Sequence, residues 1–399
     1  MAYKTGTATS YRDLLRIVRR FVTGRAQPGT IAQTGTGNGL LTLLEPGVAA
    51  PSETWTLTCT AAAVNAGTFS VSGSVSGVQP AATVGVAYVN ALLNFTITDG
   101  TVDFIVGDQF VVAVVASGMI AGERWVDDRW IDGATTQEWL THAPGLAGTD
   151  AIYGGVYSSQ DSGAPYYRWQ IGANIGYVGG NDFFSQPGRL PAGQNFPGVT
   201  LANTAMPYWL VASGRRLVLV AKVGTVYEAM YLGFILPYAT PGQYPYPLFV
   251  GGSLTGSAGW LSSLTGPDHR HFVDPGNFTS SSTSSMSRLR DTSGRWAIFM
   301  NRSGTSEIYT TDTGSTSYYD GSLPALREAL TGEYALLPIS LKETYLGISN
   351  VYGEFDGCYW ISGFGNAAEN TITIGADNYL VVQNVYRVGV ADFWALKLA

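Results

Sequence analysis

From Trp55 onward the chain places apolar residues at every second position, and no other feature narrows its fold so far. Trp55, Leu57 and Cys59 fall on one side of an extended segment, and Thr54, Thr56, Thr58 and Thr60 on the other. Phe69, Val71 and Val75 alternate in the same way with Ser70, Ser72, Ser74 and Ser76, and Phe95 and Ile97 with Asn94, Thr96 and Thr98. Successive side chains of a strand point to opposite faces, so this period marks strands with one face in a core. Asp99-Gly100 makes a turn before Val102, Phe104 and Val106, and Gly107-Asp108 separates that strand from the apolar Phe110–Val115. Short strands punctuated by Gly and Asp predict a small antiparallel β-sandwich over residues 53–118.

One helix precedes it. Ser10 is a candidate N-cap with Asp13 three residues on, Leu14, Ile17, Val18 and Phe21 recur at helical spacing, and Gly24 can close the helix. Arg12, Arg16, Arg19 and Arg20 occupy the remaining surface, either as a solvated face or as a basic stripe that anchors the chain on an acidic neighbour. The stretch 25–52 is rich in Gly, Pro, Thr and Ala and reads as a connector with one strand around Leu40–Leu44, so residues 1–52 form a helix-and-connector region.

Residues 119–399 have few helix signals and predict a larger β-rich domain of sandwich or jelly-roll type. Met119–Gly148, which holds Trp125, Trp130 and Trp139, leads into it. Leu210-Val211 and Leu217–Val223 flank a hairpin turn at Ser213-Gly214, and Val226–Leu236 continues as a strand. That strand ends in the run Pro237–Pro247, whose four prolines and three tyrosines exclude regular ladder pairing. Tyr238, Tyr244, Tyr246 and Phe249 supply large apolar area on a backbone already restricted by proline. The run is expected to be an ordered contact, either a seam between subunits or a lid on the domain's own core. Phe278–Ser287 reads as a mobile Ser/Thr loop, Leu323–Leu330 as a short helix opened by Pro324, and Asn378–Val390 as β. The whole is therefore expected to be mainly β.

Charged residues make up 13% of the chain against 45% hydrophobic and 12% aromatic. Aromatics that cannot all be buried favour protein contacts, which points to a homo-oligomer. The formal net charge of −7 argues against nucleic-acid binding, which needs a basic face. No run approaches the length of a membrane span, and residues 1–25 lack the apolar core of a signal peptide. Cys59 and Cys358 are too far apart in sequence for a disulfide framework and read as buried thiols.

Candidate chemistry is sparse. Of the three histidines, His142, His269 and His271, the last two alternate in Asp268-His269-Arg270-His271, which on a strand would aim both rings to one side. With Asp274 they could supply three metal ligands; the alternative is an exposed polar loop after Pro267. Asp99, Asp103 and Asp108 lack the spacing of a calcium loop and fit turns. Asp127, Asp128, Asp132 and Glu138 lie among tryptophans, the residue types that a glycosidase uses as acid, partner carboxylate and sugar platform. No Gly-x-Ser-x-Gly elbow and no phosphate-binding glycine loop occurs. The chain is read as non-enzymatic, without a cofactor.

Two stretches resemble virion structural proteins of tailed bacteriophages. One is TWTLTCTAAAVNAGTFSVSGSVSG followed by NFTITDGTVDFIVGDQF; the other is ASGRRLVLVAKVGTVYEAMYLGFILPYATPGQYPYPLFVGG at positions 212–252. The opening TSYRDLLRIVRRFV is similar to the helix that begins many such proteins. The likeness covers less than half of the chain. It implies a tail or baseplate component of the virion that holds fibres, and it implies no catalytic residue. The chain is further expected to assemble in the host cytoplasm, as a trimer or hexamer and with other tail proteins. The competing expectations are a tail protein that binds host-surface glycans and a polysaccharide depolymerase.

Overall fold

Alternation does build the strands, and nearly all regular structure is antiparallel β. The structure, a computed structural model, describes residues 1–145, 152–159, 165–190, 196–253, 264, 269–273, 287–298, 307–309, 334–345, 348–385, 389–390 and 392–398. The Ser/Thr stretch 278–286, the segment 323–330, Asp268 and Asp274 lie outside them. The chain divides into two units, one of Ile17–Ala121 and one of Met1–Arg16 with Gly122–Ala399.

The smaller unit is a β-sandwich. Its five-stranded sheet runs in the order Gln27–Thr34, Gln109–Val115, Glu53–Ala63, Ala66–Gly73 and Gly77–Thr83. A three-stranded sheet of Leu40–Pro46, Leu93–Thr98 and Ala87–Tyr88 completes it. Trp55, Leu57, Phe69, Val71 and Phe110 from the first sheet share one core with Leu41, Phe95 and Ile97 from the second. These are the inward positions of the alternating runs, as period two requires. Three local expectations need correction. The stretch 25–52 is no mere connector: Gln27–Thr34 pairs with Gln109–Val115, and Leu40–Pro46 with Leu93–Thr98. Val75 is exposed because its strand ends at Gly73 and a turn follows. The segment 102–106 is not a strand; only Phe104 turns inward, meeting Phe69 edge-on at 5.0 Å between ring centroids, while Val102 and Val106 are exposed.

Among the described residues the larger unit holds three sheets. One orders Ala2–Ala8, Met206–Ala212, Arg216–Val223, Val226–Phe234, Leu248–Gly251, Ser287–Arg290 and Trp296–Ile298. The second orders Val126–Asp132, Gln137–Ala143, Ile152–Ser159, Tyr167–Asn174 and Gly198–Leu201. The third is built on the long strand Ile348–Ile361, which pairs with Leu337–Tyr345, with Phe393–Lys397 and, through a short bridge, with Leu236–Pro237. Tyr231, Phe249, Phe272 and Phe355 pack against one another at the centre of its core. The tryptophan-rich segment after Met119, expected as a passage, supplies the first hairpin of the second sheet.

The boundary between the units falls inside the helix Tyr11–Val22. The Asp13 amide donates to Ser10 Oγ, while Asp13 Oδ2 accepts the Thr9 amide. Ser10 thus caps the first turn, while Asp13 reaches one residue further back than a capping box would, to Thr9 instead of Ser10. Leu14, Leu15, Val18, Phe21 and Val22 are buried.

Candidate functional site

The arginines of the helix meet carboxylates of their own chain. Arg12 and Arg16 each lie 2.7 Å from Asp132, and Arg19 and Arg20 reach Glu45 at 2.8 and 2.7 Å. Burial raises the Asp132 pKa, but Arg16, Gln137 and Arg12 together outweigh it and hold the group below the usual carboxylate range. Glu45 behaves alike: burial opposes its charge, and Arg20 and Arg19 pull its pKa down. The stripe expected to find an acidic neighbour is therefore engaged in cis. The remaining carboxylates of the tryptophan-rich hairpin are engaged too. Asp127 accepts the Trp139 indole N–H at 3.0 Å, Asp128 lies 2.9 Å from His142 Nδ1, and Glu138 lies 2.6 Å from Arg129. They tie the hairpin together instead of facing one another across a cleft, as a glycosidase pair must. In the sandwich, Asp108 accepts the amides of Thr36, Gly37 and Ile105, and Asp103 accepts that of Asn65. Both organise turns.

His269 and His271 are not on an exposed loop; both are buried. The Trp394 indole N–H donates to His271 Nδ1 at 2.8 Å, so the ring proton sits on Nε2, which donates to the Tyr227 carbonyl at 2.6 Å. Both ring nitrogens are thus spent, and His271 has none left for a metal. His269 lies 3.7 Å from the fully buried Glu228, whose other oxygen accepts the Ser253 hydroxyl. No cluster of three metal-ligating side chains occurs among the described residues.

The proline–tyrosine run splits by position. Phe249 and Tyr244 are buried in the core of the larger unit, and the Tyr244 hydroxyl donates to the Arg290 carbonyl at 2.6 Å. Tyr238 and Tyr246 are exposed. Tyr238 donates its hydroxyl to Glu354 at 2.6 Å, whereas Tyr246 carries the Arg290 guanidinium 4.5 Å above its ring. Beside Tyr246 opens a cavity of about 160 Å³, lined by Asn174, Ile175, Phe234, Tyr246, Leu248 and Arg290. Sequence reasoning picked out Tyr246 but missed Asn174 and Arg290, which lie on strands far away in the chain and carry no local signature.

No protein-family model and no curated protein matches the chain.

A second surface stands out by what it lacks. From Ala26 to Ala121 the chain contains no lysine or arginine. Of the carboxylates in that span, Glu45 is paired with arginines, Glu53 and Asp108 are buried, and Asp99 and Asp103 are half-buried. Against this uncharged background Val78 is 83% exposed, Leu43 81% and Val89 77%. Both outer strands of the five-stranded sheet carry a proline, Pro28 and Pro80, and a register irregularity. Proline and bulges blunt an edge against strand addition. At the edges of this sheet, side chains rather than a free ladder are on offer.

Proposed function

We propose that the chain is a non-enzymatic structural subunit of a tailed-phage virion, placed in the tail or baseplate, where it self-associates, contacts other tail proteins and holds fibres. The observation that carries this reading is the surface of the sandwich unit, which has no cation from Ala26 to Ala121 and exposes aliphatic side chains such as Val78, Leu43 and Val89. A monomer that had to stay dispersed would need mixed charge there. A subunit buried in an assembly benefits from its absence, because each charge removed from water at an interface costs free energy. The resemblance of the sandwich segment and of residues 212–252 to virion proteins supports the same reading. The hairpin carboxylates, engaged with Trp139, His142 and arginines, are accounted for by local structure, which is consistent with the same reading.

Light scattering on the purified chain at micromolar concentration tests self-association, with a trimer or hexamer expected. Mass spectrometry of particles purified from a culture of the encoding phage tests the virion role, with this chain expected in stoichiometric amount. A monomer in solution that is also missing from particles would sink the proposal.

A further inference from the structure

The geometry points to a binding site for one carboxylate-bearing sugar residue in the cavity between Asn174, Tyr246 and Arg290. Three polar groups line it whose hydrogen-bonding capacity the described residues leave largely unused. Asn174 closes the strand Tyr167–Asn174, is only 6% exposed, and its carboxamide forms no hydrogen bond with the described residues. Neither of its polar side-chain atoms is sealed in the interior, so the carboxamide keeps its donors and acceptor open to a ligand in the cavity. Arg290 is half-buried; its Nε donates weakly to the Gly294 carbonyl at 3.4 Å, and no carboxylate among the described residues pairs with it. That sets it apart from Arg12, Arg16, Arg129, Arg216 and Arg295, each of which has a carboxylate. The Tyr246 hydroxyl is likewise unused by the described residues, although Tyr238 and Tyr244 of the same run spend theirs.

These groups are held in place. Pro245 and Pro247 flank Tyr246, and the Leu248 amide donates to the Tyr246 carbonyl at 2.8 Å. The Tyr244 hydroxyl fixes the Arg290 backbone from below. Size and chemistry then select the ligand. The cavity of about 160 Å³ compares with the roughly 150 Å³ that admits one six-membered ring, and it is too small for a peptide or a drug-sized molecule. An unpaired guanidinium takes a carboxylate through two parallel N–H donors. A carboxamide and a phenol, each donor and acceptor, suit ring hydroxyls, and Ile175 and Leu248 offer apolar wall to the C–H face of the ring. The site does not depend on the assembly role proposed above, and either can fail without the other.

The test is calorimetric titration of the full chain with D-glucuronate, D-galacturonate and N-acetylneuraminate, with D-glucose and acetate as controls. At least one acidic sugar should saturate with a millimolar dissociation constant, and glucose and acetate should bind at least about tenfold more weakly. Arg290→Gln and the isosteric Asn174→Asp, which sets a second carboxylate against the ligand's own, should each weaken binding about tenfold or more with thermal unfolding unchanged. Should Asn174→Asp not fold, Ile175→Trp at the exposed rim fills the cavity and should abolish binding. Absence of saturation by all three acidic sugars overturns the inference. So does acetate binding as tightly as they do, which would leave a plain anion site, or undiminished binding by the variants.

Discussion

The two units share antiparallel β architecture but finish their surfaces in opposite ways. The larger one is laced with ion pairs: Arg12 and Arg16 with Asp132, Arg129 with Glu138, Arg215 and Arg216 with Asp356, Lys222 with Glu369, Lys397 with Asp377. The sandwich has its arginines only at its beginning, gathered around Glu45, and nothing cationic afterwards. Surface pairs add little stability, so the contrast is not about how firmly each unit folds. It concerns what each surface is prepared to meet. A charged exterior prefers water, whereas an uncharged one loses little when water is replaced by protein.

By this contrast, removing a buried charge inside the larger unit should hurt most. Arg216 is 1% exposed and lies 3.0 Å from Asp356. Burial alone would lower its pKa, but Asp356, chief among the neighbouring groups, together with Tyr231 and Cys358 overcomes that and raises it. Gly357, at φ +73°, lies against the guanidinium, which a side chain there would displace. Arg216→Met should cost about 3–5 kcal/mol in urea unfolding, because it strands part of the Asp356 charge in the interior. Arg215→Met, removing the outer partner at 42% exposure, should cost less than about 1 kcal/mol. Equal losses from both would mean that burial does not distinguish these pairs.

The sandwich keeps one comparable polar element, Asp108. Its carboxylate takes amides at 2.8, 2.8 and 3.0 Å from Thr36, Gly37 and Ile105. Burial raises its pKa, but the amides of Ile105, Thr36 and Gly37 outweigh this and lower it. A carboxyl with a depressed folded-state pKa stabilises fully above its unfolded value and loses that contribution as pH falls through the folded one. Sandwich stability should therefore drop in acid, below the ordinary carboxylate value of about 4. Asp108→Asn should cost about 2 kcal/mol at neutral pH and flatten that acid slope. An unchanged slope in the variant would assign the acid sensitivity to other groups.

How far the sequence could be read follows the same division. In the sandwich the outer faces are Thr and Ser, so Trp55, Leu57, Phe69 and Ile97 stand out as inward positions from alternation alone. In the larger unit the strands Arg216–Val223 and Val226–Phe234 are buried on both faces, and there the period vanishes into continuous apolar runs. The opening strand Ala2–Ala8 pairs with Met206–Ala212, about two hundred residues away, and no local pattern announces it. The same holds for the cavity. Tyr246 could be singled out by its proline neighbours, but its meeting with Asn174 and Arg290 is decided by sheet order, which the sequence does not spell out. His271 was legible only as a histidine; its buried link to Trp394 spans 123 positions.

The smallest effect on folding should come from the surface that distinguishes the two units. Val78 and Val89 are 83% and 77% exposed, so Val78→Lys with Val89→Lys should change unfolding of the isolated chain by no more than about 0.5 kcal/mol. Assembly should respond quite differently. Two lysine ammonium groups placed in a dry interface must be desolvated without partners, so the double variant should shift the light-scattering mass towards the monomer. The matching control is Ile175→Lys with Ile374→Lys in the larger unit, at 51% and 44% exposure, which should leave the oligomer intact. Bulk charge cannot imitate this result. Both double variants move the net charge from −7 towards zero by the same amount, and a lower net charge favours association. Dissociation confined to the sandwich variant would thus locate the interface on that unit. Dissociation by both, or by neither, would remove the distinction between the two surfaces and with it the main support for an assembly role.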